Sequence, residues 1–121
     1  MIAGAVVDLQ ALVSVGLGGP LSAVEPIEFV IDTGFAGGLA LPQALIDNLG
    51  LPYIEAAVAI LADGSHAAVD VYVAPVHWCG RTVDVAVLAM EGRPLLGTAL
   101  LRGLRMEADF VEGGAVRLLP L

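Results

Sequence analysis

Phe29-Val30-Ile31-Asp32-Thr33-Gly34 is the stretch from which the rest of the chain is read. Three apolar residues describe a short buried strand, and they run directly into Asp-Thr-Gly, the composition of a tight loop. Asp is depleted in strands, and a carboxylate without partners is costly to bury. A strand that delivers one to a loop tip makes Asp32 a candidate catalytic carboxylate. The plainer reading is local, since Asp in a turn accepts backbone N–H bonds from the residues that follow it. The tripeptide alone does not separate the two, so the surrounding sequence has to.

Outward from this stretch the pattern is mainly β. On the N-terminal side, Met1 to Val7 is apolar enough for a first strand. Leu12-Val13-Ser14-Val15 alternates loosely, and Gly16-Leu17-Gly18-Gly19-Pro20 is expected to turn the chain into a strand from Val24 to Ile31. On the C-terminal side, Leu39-Ala40-Leu41 is followed by Pro42, which suits the first turn of a helix running to Asn48, with Gly50 as its stop. Leu45 and Leu49, four apart, share one face of it. Tyr53 to Leu61 and Ala67 to Val76 flank Asp63-Gly64, the strongest short hairpin signal in the chain. Val69, Val71 and Val73 alternate with Asp70 and Tyr72, and after a turn at Cys79-Gly80, Val83, Val85 and Val87 alternate with Asp84 and Ala86. Leu95-Leu96-Gly97 precedes a short helix that Thr98 is expected to cap and that extends to Arg102. Leu104, Met106, Ala108 and Phe110 alternate with Arg105, Glu107 and Asp109. Gly113-Gly114 turns the chain, and Ala115 to Leu119 forms a last strand.

Composition narrows the function. The 121 residues suffice for one domain, 1–121, with no linker, repeat or low-complexity tract. Hydrophobic residues make up 58%. A body this small leaves roughly a third of its surface exposed, so so much apolar content implies a face covered by another chain. The net charge is −8, and five Arg residues without a single Lys supply all the positive charge. That argues against a nucleic-acid backbone or an anionic membrane as partner, and removes Walker A chemistry. The N-terminus lacks the basic start of a signal peptide, and the uncharged run from Leu9 to Val24 is too rich in Gly for a spanning helix. With a single cysteine, Cys79, and so no intrachain disulfide, a soluble, cytoplasmic protein is expected.

Other chemistries find little support. Gly16-Leu17-Gly18 lacks the third glycine and the following helix of a dinucleotide loop. His77 and Cys79 lie two apart on a strand, but no further ligands stand at metal-binding spacing, and packing around Trp78 accounts for them. His66 reads as a solvated hairpin residue. Ser14, Ser22 and Ser65 have no nucleophile-elbow context. Asp8, Glu25, Asp70, Asp84 and Glu112 read as solvated faces. No metal and no cofactor is called for.

The order of parts resembles the retropepsin-like (clan AA) aspartic proteases, in particular the small bacterial single-lobe type. The matching features are the apolar strand ending in Asp32-Thr33-Gly34, the Asp63-Gly64 hairpin, and Leu95-Leu96-Gly97 leading into a short helix and then a strand. Together they span roughly Val7 to Leu119. The resemblance implies a mainly β, closed acid-protease barrel with one or two short helices. It implies an aspartic endopeptidase that hydrolyses a peptide or protein substrate as a homodimer, one Asp-Thr-Gly loop per chain. Asp32 would be catalytic, Thr33 would bond the other loop across the dimer axis, and Gly34 would lie along the substrate. Phe35 and the hairpin residues Ala62, Asp63 and Gly64 would contact substrate, the hairpin acting as a flap. Strands at Met1 to Val7 and Ala115 to Leu119 would pair between copies. The chain departs from the family at Phe35, where Ala or Ser is usual, at the flap tip, which is not a Gly-rich run, and at Thr98-Ala99, where a polar or charged pair is common. These departures keep a second reading open: a dimeric peptide-binding module on the same fold with weak or absent turnover.

Overall fold

In a computed structural model, which describes residues 1–18 and 23–121, the chain folds into ten strands and two short helices. The strands are β1 (Ile2–Val7), β2 (Gln10–Leu17), β3 (Glu25–Ile31), β4 (Leu39–Leu41), β5 (Tyr53–Ile60), β6 (His66–Trp78), β7 (Arg81–Ala89), β8 (Leu95–Leu96), β9 (Leu104–Ala108) and β10 (Ala115–Pro120). The helices are α1 (Gln43–Leu49) and α2 (Thr98–Leu101). The strands form one mixed sheet in the order β5-β6-β7-β4-β8-β3-β2-β1-β10-β9, and a further pairing of β6 with β2 closes six of them into a ring. Among the described residues only β3 with β8 and β4 with β7 run parallel.

The ring closes because the inward residues are large and uninterrupted by charge. Leu17, Phe29, Leu39, Leu41, Val76, Val87 and Leu96 are all essentially inaccessible, and among the described residues no polar or charged side chain is buried with them. Burial of this kind, at about 25 cal/mol per Å² of apolar surface, is the main favourable term holding so small a sheet together. Helix α1 packs on the core cluster. Pro42 stands at its N-cap, Gly50 adopts the left-handed conformation after its last turn, and Ile46 and Leu49 are its buried anchors.

Several sequence expectations shift in the folded chain. Gly16 and Leu17 continue β2, because Leu17 pairs with Glu25 and Val76 and is fully buried; Gly19 and Pro20 of the expected turn, with Ser22, lie outside the described residues. Leu45 is only half-buried, so Ile46 is the deeper anchor of α1. The Val69-Val71-Val73 alternation breaks: Val71 faces in, and from Ala74 the inward set becomes Ala74, Val76 and Trp78. The break coincides with a register shift in β5, where Tyr53 pairs with Tyr72 and Glu55 already with Val71. Such a bulge re-aims the strand, here at the place where β6 leaves the ring and becomes one arm of a hairpin. The Tyr53 and Tyr72 rings meet edge to face at 5.5 Å there. Thr98 is the first residue of α2, which ends at Leu101; Gly97 holds the cap position without a side-chain bond. Phe110 falls beyond β9 and is 56% exposed. The terminal strands are both interior: β1 lies between β2 and β10, and β10 between β1 and β9. Their backbone edges are occupied within the chain and cannot form the intermolecular sheet that the resemblance implied.

Among the described residues no helix is long and apolar enough to cross a membrane. Phe29→Ala tests the ring directly. Removing this inaccessible ring is expected to cost about 3–5 kcal/mol in chemical denaturation, within the range for buried aromatic truncation.

Candidate active site

Asp32 sits where β3 ends, and its position is set by backbone pairing. β3 and β8 run parallel, with Val30 opposite Leu95 and Ile31 opposite Leu96. The Asp32 N–H donates to the Leu96 carbonyl at 2.9 Å. Because the two strands point the same way, Asp32 and Gly97 emerge side by side. The chain then turns tightly: the Gly34 N–H donates to Asp32 Oδ1 at 2.8 Å, and the Phe35 N–H to the Asp32 carbonyl at 3.1 Å. The local reading of the tripeptide is therefore correct as far as it goes, since Asp32 braces its own loop with one carboxylate oxygen.

The loop is held from below by α2. Three of its carbonyls meet N–H groups that the start of a helix leaves without intrahelical partners. Thr98 N–H donates to the Phe35 carbonyl at 2.9 Å, Ala99 N–H to Gly37 at 3.2 Å, and Gly97 N–H to Gly38 at 2.8 Å. The approach is so close that only glycine fits at 97. A Cβ there would collide with the Gly37 carbonyl oxygen and lie 2.6 Å from that of Phe35. The Phe35 ring lies against the bare faces of Gly37 and Gly97, where an added Cβ would fall within 2.7 Å of it. Its bulk is thus partly absorbed beneath the loop.

The β5–β6 hairpin lies across this loop. A cleft of about 300 Å³ is lined by Asp32, Gly34, Phe35, Ile60, Leu61, Ala62, Met90 and Leu95. A second, of about 410 Å³, shares Gly34, Phe35, Ile60 and Met90 and extends past Val58 to Leu88. Asp32, Gly34, Phe35 and Ala62 are therefore brought together. Thr33 is exposed at the turn and lines neither cleft, and Asp63 and Gly64 are at the hairpin tip, outside both. There they build the turn itself. Gly64 takes a φ of 84°, its N–H donates to the Leu61 carbonyl, and Leu61 N–H donates to Ser65. Asp63 Oδ1 accepts the Ser65 hydroxyl and, at 2.8 Å, the Ser65 N–H. The hydroxyl first and the N–H second hold the Asp63 carboxyl below its ordinary 3.8.

Sequence reading missed Ile60, Leu61, Met90 and Leu95 as cleft walls. Exposed apolar residues at the end of a hairpin were the available signal for the first two. Nothing local marks Met90, which is set by its N–H bond to the Leu41 carbonyl at 3.0 Å. His66 is exposed beside the hairpin turn. His77 is exposed rather than packed; it lines, with Trp78, Cys79 and Arg81, a larger cleft of about 700 Å³ at the other end of β6. Among the described residues no three His, Cys, Asp or Glu side chains gather as a metal site would require.

No family model, no curated protein and no solved structure matches this chain. What the geometry defines is a mainly β domain with a ring-like core, carrying one carboxylate loop under an apolar hairpin.

Two measurements test this arrangement. Gly97→Ala is expected to lose about 1–3 kcal/mol of stability, the usual cost of overpacking, and to shift the amide resonances of Asp32 to Phe35. Ser65→Ala removes the largest cause of the lowered Asp63 pKa, so the carboxyl should titrate closer to 3.8 than it does in the parent. The sign follows from linkage: a depressed carboxyl stabilises the turn above its unfolded pKa and stops doing so as pH falls through the folded value. An NMR titration of Asp63 in both proteins reads this directly.

Proposed function

We propose that the chain is an aspartic endopeptidase of retropepsin-like build, acting on peptides as a homodimer in the cytoplasm. The observation that carries the reading is the Asp32 carboxylate at the edge of an apolar cleft, with the β5–β6 hairpin across it. An extended peptide fits such a cleft, and its backbone can pair with the open edge of β5. The residues 1–121 carry one Asp-Thr-Gly, and the chemistry needs two carboxylates, so a second copy supplies the other Asp32. Two carboxylates brought close cannot both ionise easily, and the apolar walls raise that cost, so the pair shares one proton. The ionised member takes a proton from a water that attacks the peptide carbonyl carbon. The protonated member donates to the carbonyl oxygen, and the tetrahedral intermediate collapses as the amine leaves with a proton. The titration belongs to the pair rather than to either Asp32. On this reading Gly34, beside Asp32, leaves room for the substrate backbone, and Thr33, which is exposed, meets its counterpart across the dimer axis.

Asp32→Asn is the direct test. Hydrolysis of a susceptible peptide from a broad library, sensitive to pepstatin in the parent, is expected to fall at least about a hundredfold, the scale of losing an acid–base group. Circular dichroism and the oligomeric state should stay unchanged. Cleavage by the variant at the parental rate would remove Asp32 from the chemistry. A second reading is favoured by one observation, the engagement of Asp32 Oδ1 with its own loop beside the Phe35 ring. On that reading the dimer binds peptides without turnover, and the same library would show binding with no cleavage at any pH.

A further inference from the structure

The strand order leaves two open edges among the described residues, β5 and β9. The β9 edge is the better specified. Asp109 N–H donates to the Ala115 carbonyl, and Leu121 N–H to that of Gly103, so the odd-numbered residues of this strand turn their backbone groups toward β10. The N–H and C=O groups of Leu104, Met106 and Ala108 then point away from the sheet. Edges of this kind are usually blunted by Pro, a bulge or charged side chains, Lys above all. β9 has no Pro, Lys or bulge, and its two charges are of opposite sign, so they repel a second copy only in some registers. It carries Arg105 and Glu107 exposed on one face and Leu104, Met106 and Ala108 half-buried on the other.

The geometry points to β9 as a self-pairing edge that docks antiparallel on β9 of a second copy, about a two-fold axis at Met106. Charge selects this register. Centring the pair on Arg105 or on Glu107 sets like charges opposite each other, whereas centring it on Met106 sets Arg105 of each copy opposite Glu107 of the other. It also keeps all five residues of the strand paired. Leu104 then faces Ala108 of the second copy, and these pairs, with Met106 against Met106, exchange the outward backbone bonds. The charged pairs fall at the positions where side chains approach most closely. Glu107 already accepts from Arg117 Nε at 3.2 Å across β10, so a row of alternating charge continues from one copy into the next. The contact is isologous, so it closes on two copies. β5 offers no such selection, since Glu55 is its only charge.

This pairing rests on the proposed function only for the existence of a second copy, not for hydrolysis, and cross-linking tests it apart from activity. In a Cys79→Ser background, Met106→Cys sets a thiol opposite its own copy at a Cα separation of about 5.5 Å, within the span of a disulfide. Mild oxidation should convert it to a covalent dimer at least about tenfold faster than Leu104→Cys, whose thiol faces Ala108 instead. In sedimentation, Arg105→Glu and Glu107→Arg should each weaken the dimer about tenfold, and an equimolar mixture of the two should recover it, because each then carries the charge the other lacks. Both sites are on the surface, so the fold is retained. A parental dimer whose Met106→Cys variant links no faster than Leu104→Cys overturns the edge pairing and leaves the protease reading standing. Charge variants that associate as the parent does overturn it as well. A cross-linked dimer that cleaves no peptide supports the edge and removes the protease.

Discussion

The parallel pairing of β3 with β8 is the constraint on which the site depends. Two strand ends that point the same way deliver Asp32 and Gly97 to one place, and the bond from Asp32 N–H to the Leu96 carbonyl fixes their relative height. Everything beyond them is then crowded. The loop after Asp32 has no room to stand clear of α2, and its carbonyls become the partners of the first helical N–H groups. A helix of four residues has almost no stability of its own. It persists because the loop satisfies its start, and the loop persists because the helix receives it. The absence of a side chain at Gly97 is what lets the two backbones meet.

A second dependence runs through β6. Its first half pairs with β5 and its second half with β7 and β2, so one strand serves both the hairpin arm and the ring. The inward face has to change sides between them, and the register shift opposite Tyr72 does this. Tyr72 is tied there twice, by the Tyr53 ring and by a bond accepted from Gln43 Nε2 at 3.1 Å. Through Gln43 the base of the arm is linked to α1, while its tip is held only by the Asp63–Ser65 turn. Sub-global opening concentrates where contacts are few. The arm is thus firm at its base and lightly held at its tip.

Local chemistry made much of this legible. Period-two alternation located β7 and β9, Asp63-Gly64 located the hairpin, and Pro42 with Gly50 bounded α1 almost to the residue. The family resemblance groups Asp32, Gly34, Phe35 and Ala62 with Thr33, Asp63 and Gly64, and one cleft is lined by the first four. What escaped was set by distant partners. Leu17 resembles part of a glycine turn until its pairing with Val76, far along the chain, makes it core. Phe110 completes an alternation, yet the strand ends before it because the Val111 N–H bonds back to the Asp109 carbonyl and turns the chain. Met90, just past the end of β7, and Leu95 of β8 enter the cleft only because those strands pair beside β4 and β3. The family resemblance implied that β1 and β10 would pair with another chain, and no local pattern signals that each is already enclosed on both sides.

That enclosure changes where the surplus of apolar residues goes. A composition of 58% hydrophobic residues led to the expectation of a covered face, and the terminal strands were the obvious place for it. In the folded chain Val6, Val116 and Leu118 of those strands are core, and of the terminal segments only Met1, Val7 and Leu121 are exposed large apolar residues; the others lie elsewhere. Val58 and Ile60 stand out on the hairpin arm, Leu9 at the β1–β2 turn, and Phe110 and Val111 between β9 and β10. The last three belong to one end of the sheet, because the β9–β10 loop is laced to β1 through Val6 N–H to Gly114 and Gly113 N–H to Val6, and Asp8 N–H reaches the Glu112 carboxylate. β3 reaches that same end as it approaches Asp32, since Val30 pairs with Leu12 near the start of β2. Exposed apolar side chains are ordinary when scattered singly; Leu9, Phe110 and Val111 share one end of the sheet. The carboxylate loop and these apolar turns thus share one end of the sheet, while Val58 and Ile60 stand on the hairpin arm that borders the cleft.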